Sequence, residues 1–294
     1  METATKNTIK YLIFPLLLAV ILVFYADARI KPDFLLHVDF LDIGQGDAIF
    51  IQTFQGNQVL IDGGPTNAIL KEIGNRMPFW DRTVEMIVLT HAHADHVAGL
   101  VDVLKRYKVK KVVLPEVEFR SGVYDEFISS LDKEGAEKIF AKAGQRIWLD
   151  QATVFDVYYP AGGKVAGASL HDGFGTSSSE LNDTSIVGKL SFGKNKILFT
   201  GDAGINIEKI LLPAFNLDSD LLKVGHHGSR HSTSDEFLQE VTPQAAVIQV
   251  GKNNYGHPTS EVLENLSQFH SQIYRTDRDG SISFISDGVN LYRK

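Results

Sequence analysis

Thr90-His91-Ala92-His93-Ala94-Asp95-His96 closes the apolar run Met86-Ile87-Val88-Leu89, and its reading decides the fold. Three histidines and an aspartate within six positions, delivered at the end of a predicted strand, read as metal ligands. Neutral imidazole and carboxylate together suit zinc, manganese or iron. Side chains alternate across a strand and turn about 100° per helical residue, so a cluster this short is expected to converge in a loop. Val97-Ala98-Gly99-Leu100-Val101 then starts a helix. As plain loop residues, the same histidines would leave polar groups unpaired beside an apolar strand, which is costly. His37, His171, His231 and His270 have no comparable partners nearby in sequence and read as ordinary histidines.

Three further polar clusters sit where predicted strands end. They are Asp62 after Val59-Leu60-Ile61, Asp202 in Phe199-Thr200-Gly201-Asp202, and His226-His227 in the segment Leu222 to Ser229. An aspartate after a strand is commonly a turn or helix-cap residue. Added to the histidine cluster, however, these residues supply the carboxylate and imidazole that a two-metal centre requires. The glycine-bounded loop Gly251 to Pro258 carries Lys252, two amides, Tyr255 and His257. It reads as a phosphate- or carboxylate-holding loop or as an ordinary polar turn.

Short β-type runs occupy Leu36 to Leu41, Ala48 to Phe54 and Val59 to Ile61, separated by Gly44-Gln45-Gly46-Asp47 and Gly56-Asn57. This is the pattern of an antiparallel meander, ended by the turn residues Asp62-Gly63-Gly64-Pro65. Helical spacing covers Asn67 to Arg76. A strand at Val112 to Leu114 stops at Pro115, a helix covers Tyr124 to Leu131, and a strand covers Val154 to Tyr159. Gly162 to Ser179 lacks apolar periodicity and is expected to be a loop bordering a substrate site. The second half predicts strands at Ser185 to Phe192, Ile197 to Thr200, Leu221 to Val224, Ala246 to Val250, Ile273 to Thr276 and Ser281 to Ile285. Helices are expected at Ile205 to Leu212, Asp235 to Val241 and Glu261 to Phe269. Interleaved strands and helices in both halves predict an α/β sandwich with helices over the outer faces of stacked sheets.

The 294 residues suffice for one large domain or two small ones. A formal net charge of −7 excludes a global basic field but not a local basic groove. Cysteine is absent, which excludes disulfides and thiolate metal sites. Tyr11 to Tyr25 is almost wholly apolar and follows Lys6 and Lys10, the layout of a membrane-addressing segment. It is short against the roughly 20 residues of a spanning helix, and Ala26-Asp27-Ala28 resembles a cleavage site. Residues 1–28 are therefore expected to be a signal peptide or N-terminal membrane anchor, and 29–294 the catalytic domain. Lysines before the apolar run place that domain on the extracytoplasmic side, secreted or anchored.

These residues carry a resemblance to the metallo-β-lactamase superfamily, whose HxHxDH signature stands here as His91, His93, Asp95 and His96. Asp62, Asp202 and His226 or His227 follow in the order of its other motifs. Within it, the chain is similar to the hydrolase domain of ComEC-type competence (DNA internalisation) proteins. That likeness rests on Leu41 to Ala48, Leu222 to Ser229, Gly251 to Pro258 and Tyr274-Arg275-Thr276-Asp277, and runs from about Leu36 to Ile285. The resemblance implies an αββα fold holding two divalent metal ions, zinc or manganese. His91 and His93 would bind the first, Asp95 and His96 the second, and Asp202 would bridge them. His226 is the choice for the remaining ligand of the second metal, with His227 the near alternative. Asp62 would orient a ligand, and Asp47 is a further candidate. Many relatives place another histidine before the bridging aspartate, where this chain reads Leu181-Asn182-Asp183-Thr184-Ser185. Asp183, or Asn182 beside it, is then a candidate ligand, or the position is left to water or substrate.

The function that the resemblance implies is a metal-dependent phosphodiesterase or nuclease acting on DNA, in which two metals activate a water and clamp a phosphoryl oxygen. Asp95, Asp62, His227, His257 and Lys252 are its candidate catalytic residues, and Lys223, Lys252 and His257 are candidates for contacting phosphate or protonating the leaving oxygen. The same site suits a hydrolase of esters, lactones or phosphocholine-type groups on envelope substrates, because fold alone does not choose the chemistry. A third reading is an inactive binding subunit, against which the intact ligand set argues. Expected partners are a nucleic acid or other phosphodiester, the membrane, and a separate channel protein, since a full-length ComEC-type protein adds a multi-helix channel to such a domain.

Overall fold

A computed structural model describes residues 13–22, 33–162, 169–170 and 178–294, and divides the chain into two units, Met1–Asp33 and Phe34–Lys294. In the first, residues 13–22 are helical (α1), with Phe14 and Leu16 exposed. Among the described residues no helix is long and apolar enough to cross a membrane, so the spanning reading of Tyr11 to Tyr25 gains no structural support. Ala26-Asp27-Ala28 lies outside the described residues, as do residues 163–168 and 171–177 of the expected loop Gly162 to Ser179.

The second unit runs β1 (Leu36–Phe40), β2 (Ile49–Gln52), β3 (Gln58–Ile61), α2 (Ala68–Gly74), β4 (Thr83–Val88), α3 (Ala94–Arg106) and β5 (Lys108–Leu114). It continues through β6 (Glu118–Phe119), α4 (Gly122–Glu134), β7 (Glu137–Phe140), β8 (Arg146–Trp148), β9 (Thr153–Tyr159), β10 (Ser169–Leu170) and α5 (Ser178–Asn182). The last third holds β11 (Val187–Phe192), β12 (Asn195–Phe199), α6 (Ile205–Leu211), β13 (Leu221–Lys223), α7 (Asp235–Val241), β14 (Ala245–Ile248) and α8 (Ser260–Gln268). It closes with β15 (Gln272–Arg275), α9 (Thr276–Asp279), β16 (Ile282–Ser286) and β17 (Leu291–Arg293).

The strands form an eight-stranded sheet ordered β17-β16-β1-β2-β3-β4-β5-β7, a seven-stranded sheet ordered β15-β14-β13-β12-β11-β9-β8, and a short β10-β6 pair. Alternation along each strand then sorts the apolar side chains into layers. Val59 and Ile61 of β3 join Val38, Phe40, Phe199 and Leu221 between the sheets, whereas Leu60 faces Ile69 of α2 and Leu100 of α3. Leu222 of β13 likewise turns outward onto Ile207, Phe237 and Leu266 of α6, α7 and α8. The result is an αββα sandwich.

Strands β6, β10 and β17 and helices α5 and α9 have no counterpart in the sequence reading, and Thr276, expected to end a strand, begins α9. Strands β7 and β8 are largely exposed edge strands without an apolar run to betray them. Helix α3 starts at Ala94, not Val97, so Asp95 and His96 lie in its first turn, where a carboxylate meets the positive end of the helix dipole. The histidine motif therefore straddles a loop and a helix.

Within the first sheet β3, β4 and β5 are parallel, and within the second β12 to β15 are parallel. Their C-terminal ends deliver Asp62, His91, Asp202, His227 and Gln249 to one edge of the sandwich, the usual place for a site in an α/β sheet. The Phe199 ring packs 6.3 Å from Phe40 and 6.4 Å from Phe155 beneath that edge. Phe199→Ala is expected to cost about 3–5 kcal/mol in chemical denaturation, and Phe140→Ala, at a half-exposed strand end, less than about 1 kcal/mol.

Candidate metal centre

Asp62 organises the edge. Its φ of 57° is a left-handed conformation that costs a non-glycine residue energy and is concentrated at functional sites. In that pose one carboxylate oxygen accepts the Thr90 N–H at 2.7 Å, and the other accepts the Thr90 hydroxyl at 2.6 Å and His96 Nδ1 at 2.8 Å. Thr90 Oγ1 lies 3.0 Å from His91 Nδ1, so the same carboxylate also orients His91 through the hydroxyl. Both imidazoles thereby have Nδ1 committed and Nε2 turned into the site. Thr90 escaped the sequence reading, although it directly precedes His91.

Two donor groups result. His91, His93 and Asp202 have ligand atoms within 4.8 Å of one another, and so do Asp95, His96 and His227. His91 Nε2 and His93 Nδ1 are 3.0 Å apart. Asp202 Oδ2 stands between the groups, 3.9 Å from His91 Nε2, 3.5 Å from His96 Nε2 and 3.6 Å from His227 Nε2. The Asp202 backbone is fixed by its N–H donating to Ser185 Oγ. His96 Nε2, His227 Nε2 and Asp202 Oδ1 are buried without a hydrogen-bond partner. Buried polar atoms in native proteins are rarely left so, and this donor set of imidazole and carboxylate is what a divalent transition metal takes. The residues fit a pair of such ions.

The adjacent histidines take different roles. Gly225–Gly228 is a tight turn in which His226 and His227 both have positive φ, 46° and 54°. His227 is buried, its Nδ1 donates to the Gln249 carbonyl at 2.9 Å, and its Nε2 reaches Asp95 at 3.4 Å. His226, the choice from sequence, is partly exposed and stands 3.9 Å from Asp202, with Asn182 Nδ2 at 3.2 Å from its Nε2. The geometry thus groups His227, and not His226, with Asp95 and His96. Asn182 is buried at the site and leaves Oδ1 unpartnered, whereas Asp183 belongs to neither donor group.

Lys223 corrects the sequence reading. As the alternate of Leu221 it faces between the sheets, fully buried, where its ammonium pairs with Asp47 and donates to the Gly201 carbonyl at 3.2 Å. Such a lysine meets no substrate. Asp47 in turn stands 3.3 Å from His227 Nδ1 and donates its N–H to the Asp95 carbonyl. Gly46, φ 136°, permits this approach, because a Cβ there would lie 2.2 Å from the Asp95 oxygen. Lys252 is exposed, and the His257 ring lies 5.5 Å from that of His226 at the rim.

Charge in the cluster is mutually enforced. Burial opposes ionisation of Asp202, yet His227 and His96 hold its carboxyl well below the usual range. Against the same burial, Asp202 and Asp62 lift His96 well above an ordinary histidine, and Asp202 and Asp47 push His227 up to about 10. Burial drives His91 well below its usual value. A divalent ion among these atoms would take over the compensation that the two imidazoliums supply.

The model of the Metallo-beta-lactamase superfamily matches residues 41–252. The chain belongs to that superfamily. It is 31% identical over 266 residues to ComE operon protein 3 of Bacillus subtilis, covering 84% of this chain and 32% of the relative. It is 29% identical to Recombination protein 2 of Haemophilus influenzae, covering 86% and 29%, and 30% identical to Competence protein ComA of Neisseria gonorrhoeae, covering 83% and 31%. The chain thus spans about a third of the length of the curated relatives it matches. Among solved structures, the metallo-β-lactamase fold protein YhfI of Bacillus subtilis superposes with TM-score 0.57 at 12% identity, covering 86% of this chain and 99% of that one. Igni18, a metallo hydrolase of Ignicoccus hospitalis, superposes with TM-score 0.53 at 14% identity, covering 84% and 98%. At such identity these two share the fold.

Two substitutions test the arrangement. Asp62→Asn is expected to weaken zinc or manganese binding about 10–100-fold in a metal titration, because it unlocks His96 and His91 without removing a donor. Lys223→Met strands the Asp47 carboxylate and is expected to cost about 3–5 kcal/mol in denaturation, most of it regained in Lys223→Met/Asp47→Leu.

Proposed function

We propose that the chain is a dinuclear-metal phosphodiesterase acting on DNA. Asp202 set between two donor groups supports the two-metal reading, and the competence relatives support nucleic acid as substrate. In this reading His91 and His93 would hold one ion and Asp95, His96 and His227 the other, with Asp202 available to each. The ions, zinc or manganese, supply an activated water and stabilise charge on a phosphoryl oxygen.

The chain's own residues prepare that chemistry. Asp62 fixes which nitrogen of His96 and His91 faces the site. The Asp47–Lys223 pair seats the His227 ring from below. Burial beside His226 brings His257 down to about 4, so at neutral pH it is an uncharged imidazole suited to donating one N–H to a phosphoryl oxygen. Lys252, exposed in the same loop, would contact a phosphate in this reading. Asn182, in the segment where the resemblance places another histidine, lies beside His226. The apolar run Tyr11 to Tyr25 tethers this domain to a membrane on its extracytoplasmic side, where a separate channel protein would receive the processed strand.

The test offers single-stranded DNA, duplex DNA, a generic phosphodiester, a carboxylic ester and a lactone to the manganese- and zinc-loaded chain. DNA cleavage is expected with metal, falling to the metal-free background in Asp202→Ala and His227→Ala and persisting in His226→Ala. Turnover confined to the ester or lactone would instead favour an envelope-directed hydrolase.

A further inference from the structure

The sandwich has a second edge, at the opposite ends of the parallel strands from the metal centre, and it is unusually apolar. The six residues of β4 separate the two by about 20 Å. Phe79 and Trp80 lie in the turn before β4, exposed and packed edge to face with centroids 4.6 Å apart. Asp81 pins that turn to the start of β3 by accepting from Gln58 Nε2. Trp148 lies at the end of β8 opposite Val154, near the start of β9, and Val289 in the β16–β17 turn, both exposed. Phe34, two residues before β1, is exposed as well. Register places them together: Leu36 pairs with Ser286, the β11–β12 turn donates from Lys194 N–H to the Gly288 carbonyl, and Asn57 of the β2–β3 turn donates to the Leu149 carbonyl.

Scattered apolar side chains on a surface need no explanation, but aromatic residues gathered at one edge do. The charges there are sorted as well. Asp81, Asp150 and Asp287 are spent on backbone N–H groups of their own turns. Arg82, whose guanidinium lies over the Tyr107 ring, Lys108 and Lys194 are exposed. Exposed Trp and Phe with cations among them are found at membrane interfaces, although the carboxylates of Asp81, Asp150, Asp287 and Asp218, the last paired with Lys196, share this edge. The chain before Phe34, with its apolar run Tyr11 to Tyr25, also joins the domain at this edge.

We propose that this edge is a bilayer-contact surface, with Phe34, Phe79, Trp80 and Trp148 seated in the interface of an anionic membrane and the metal centre turned to the aqueous side. The proposal rests on the membrane-tether reading and adds that the catalytic unit lies against the lipid instead of hanging free.

The chain has two tryptophans, Trp80 and Trp148, and both are on this edge. The full chain is incorporated into phosphatidylcholine–phosphatidylglycerol vesicles, with and without brominated acyl chains, and floated on a density gradient. In Trp148→Phe, which leaves Trp80, and in Trp80→Phe, which leaves Trp148, the contact predicts co-flotation, a blue-shifted emission and a roughly twofold loss of intensity on brominated lipid. Phe79→Ser/Phe34→Ser should reverse the shift without changing hydrolysis in detergent. Co-flotation with unshifted, unquenched emission would overturn the bilayer contact and leave the tether standing. Failure to float would remove the tether and the contact together.

Discussion

A carboxylate cannot be buried without something to balance it, and the arrangement of this protein follows from that constraint. Asp47, Asp62 and Asp202 lie buried at one edge of the sandwich, with Asp95 half-turned to the surface beside them. Asp47 is answered by Lys223, and Asp62 by Thr90 and His96. Asp202 has no such dedicated partner. It faces four imidazole nitrogens, of His91, His96, His226 and His227, at 3.5–3.9 Å and keeps an oxygen unpaired. His96 and His227 balance its charge, a compensation that a divalent cation among these atoms would take over.

The split between fixed and exchangeable compensation also explains the layering. Lys223 pairs with Asp47 beneath the site, fully buried. Asp62 works through hydrogen bonds, selecting the nitrogen that each imidazole presents. What remains, from His91, His93, Asp95, His96, His227 and Asp202, is a set of lone pairs aimed at common points. Superfamily membership accounts for the scaffold, and His226 and His257 stand ring against ring beside the donor groups.

How much of this was legible depended on how local each interaction is. The HxHxDH motif, the meander and the strand–helix alternation were readable because periodicity and spacing are properties of neighbouring residues. The choice between His226 and His227 was not, since it turns on two consecutive left-handed residues whose side chains diverge. Asp47 stayed uncertain because its place comes from the close approach of Gly46 to Asp95, 49 positions away in the chain. Lys223 was misread although its signal was present: it shares the face of Leu221 by simple alternation, and that face is core. Gln249 carried a comparable signal, an amide ending the apolar run Ala246-Val247-Ile248, and it accepts from His227 while donating to Leu41 and Ala48.

The central claim is that two ions share Asp202. Metal content per chain, determined by elemental analysis after equilibration with excess manganese or zinc and removal of free metal, tests it most directly. Two equivalents in the unaltered chain, falling to one or none in Asp202→Ala while the fold persists by circular dichroism, is the predicted result. One equivalent or none in the unaltered chain, or two that survive loss of Asp202, would contradict a dinuclear centre bridged by that carboxylate.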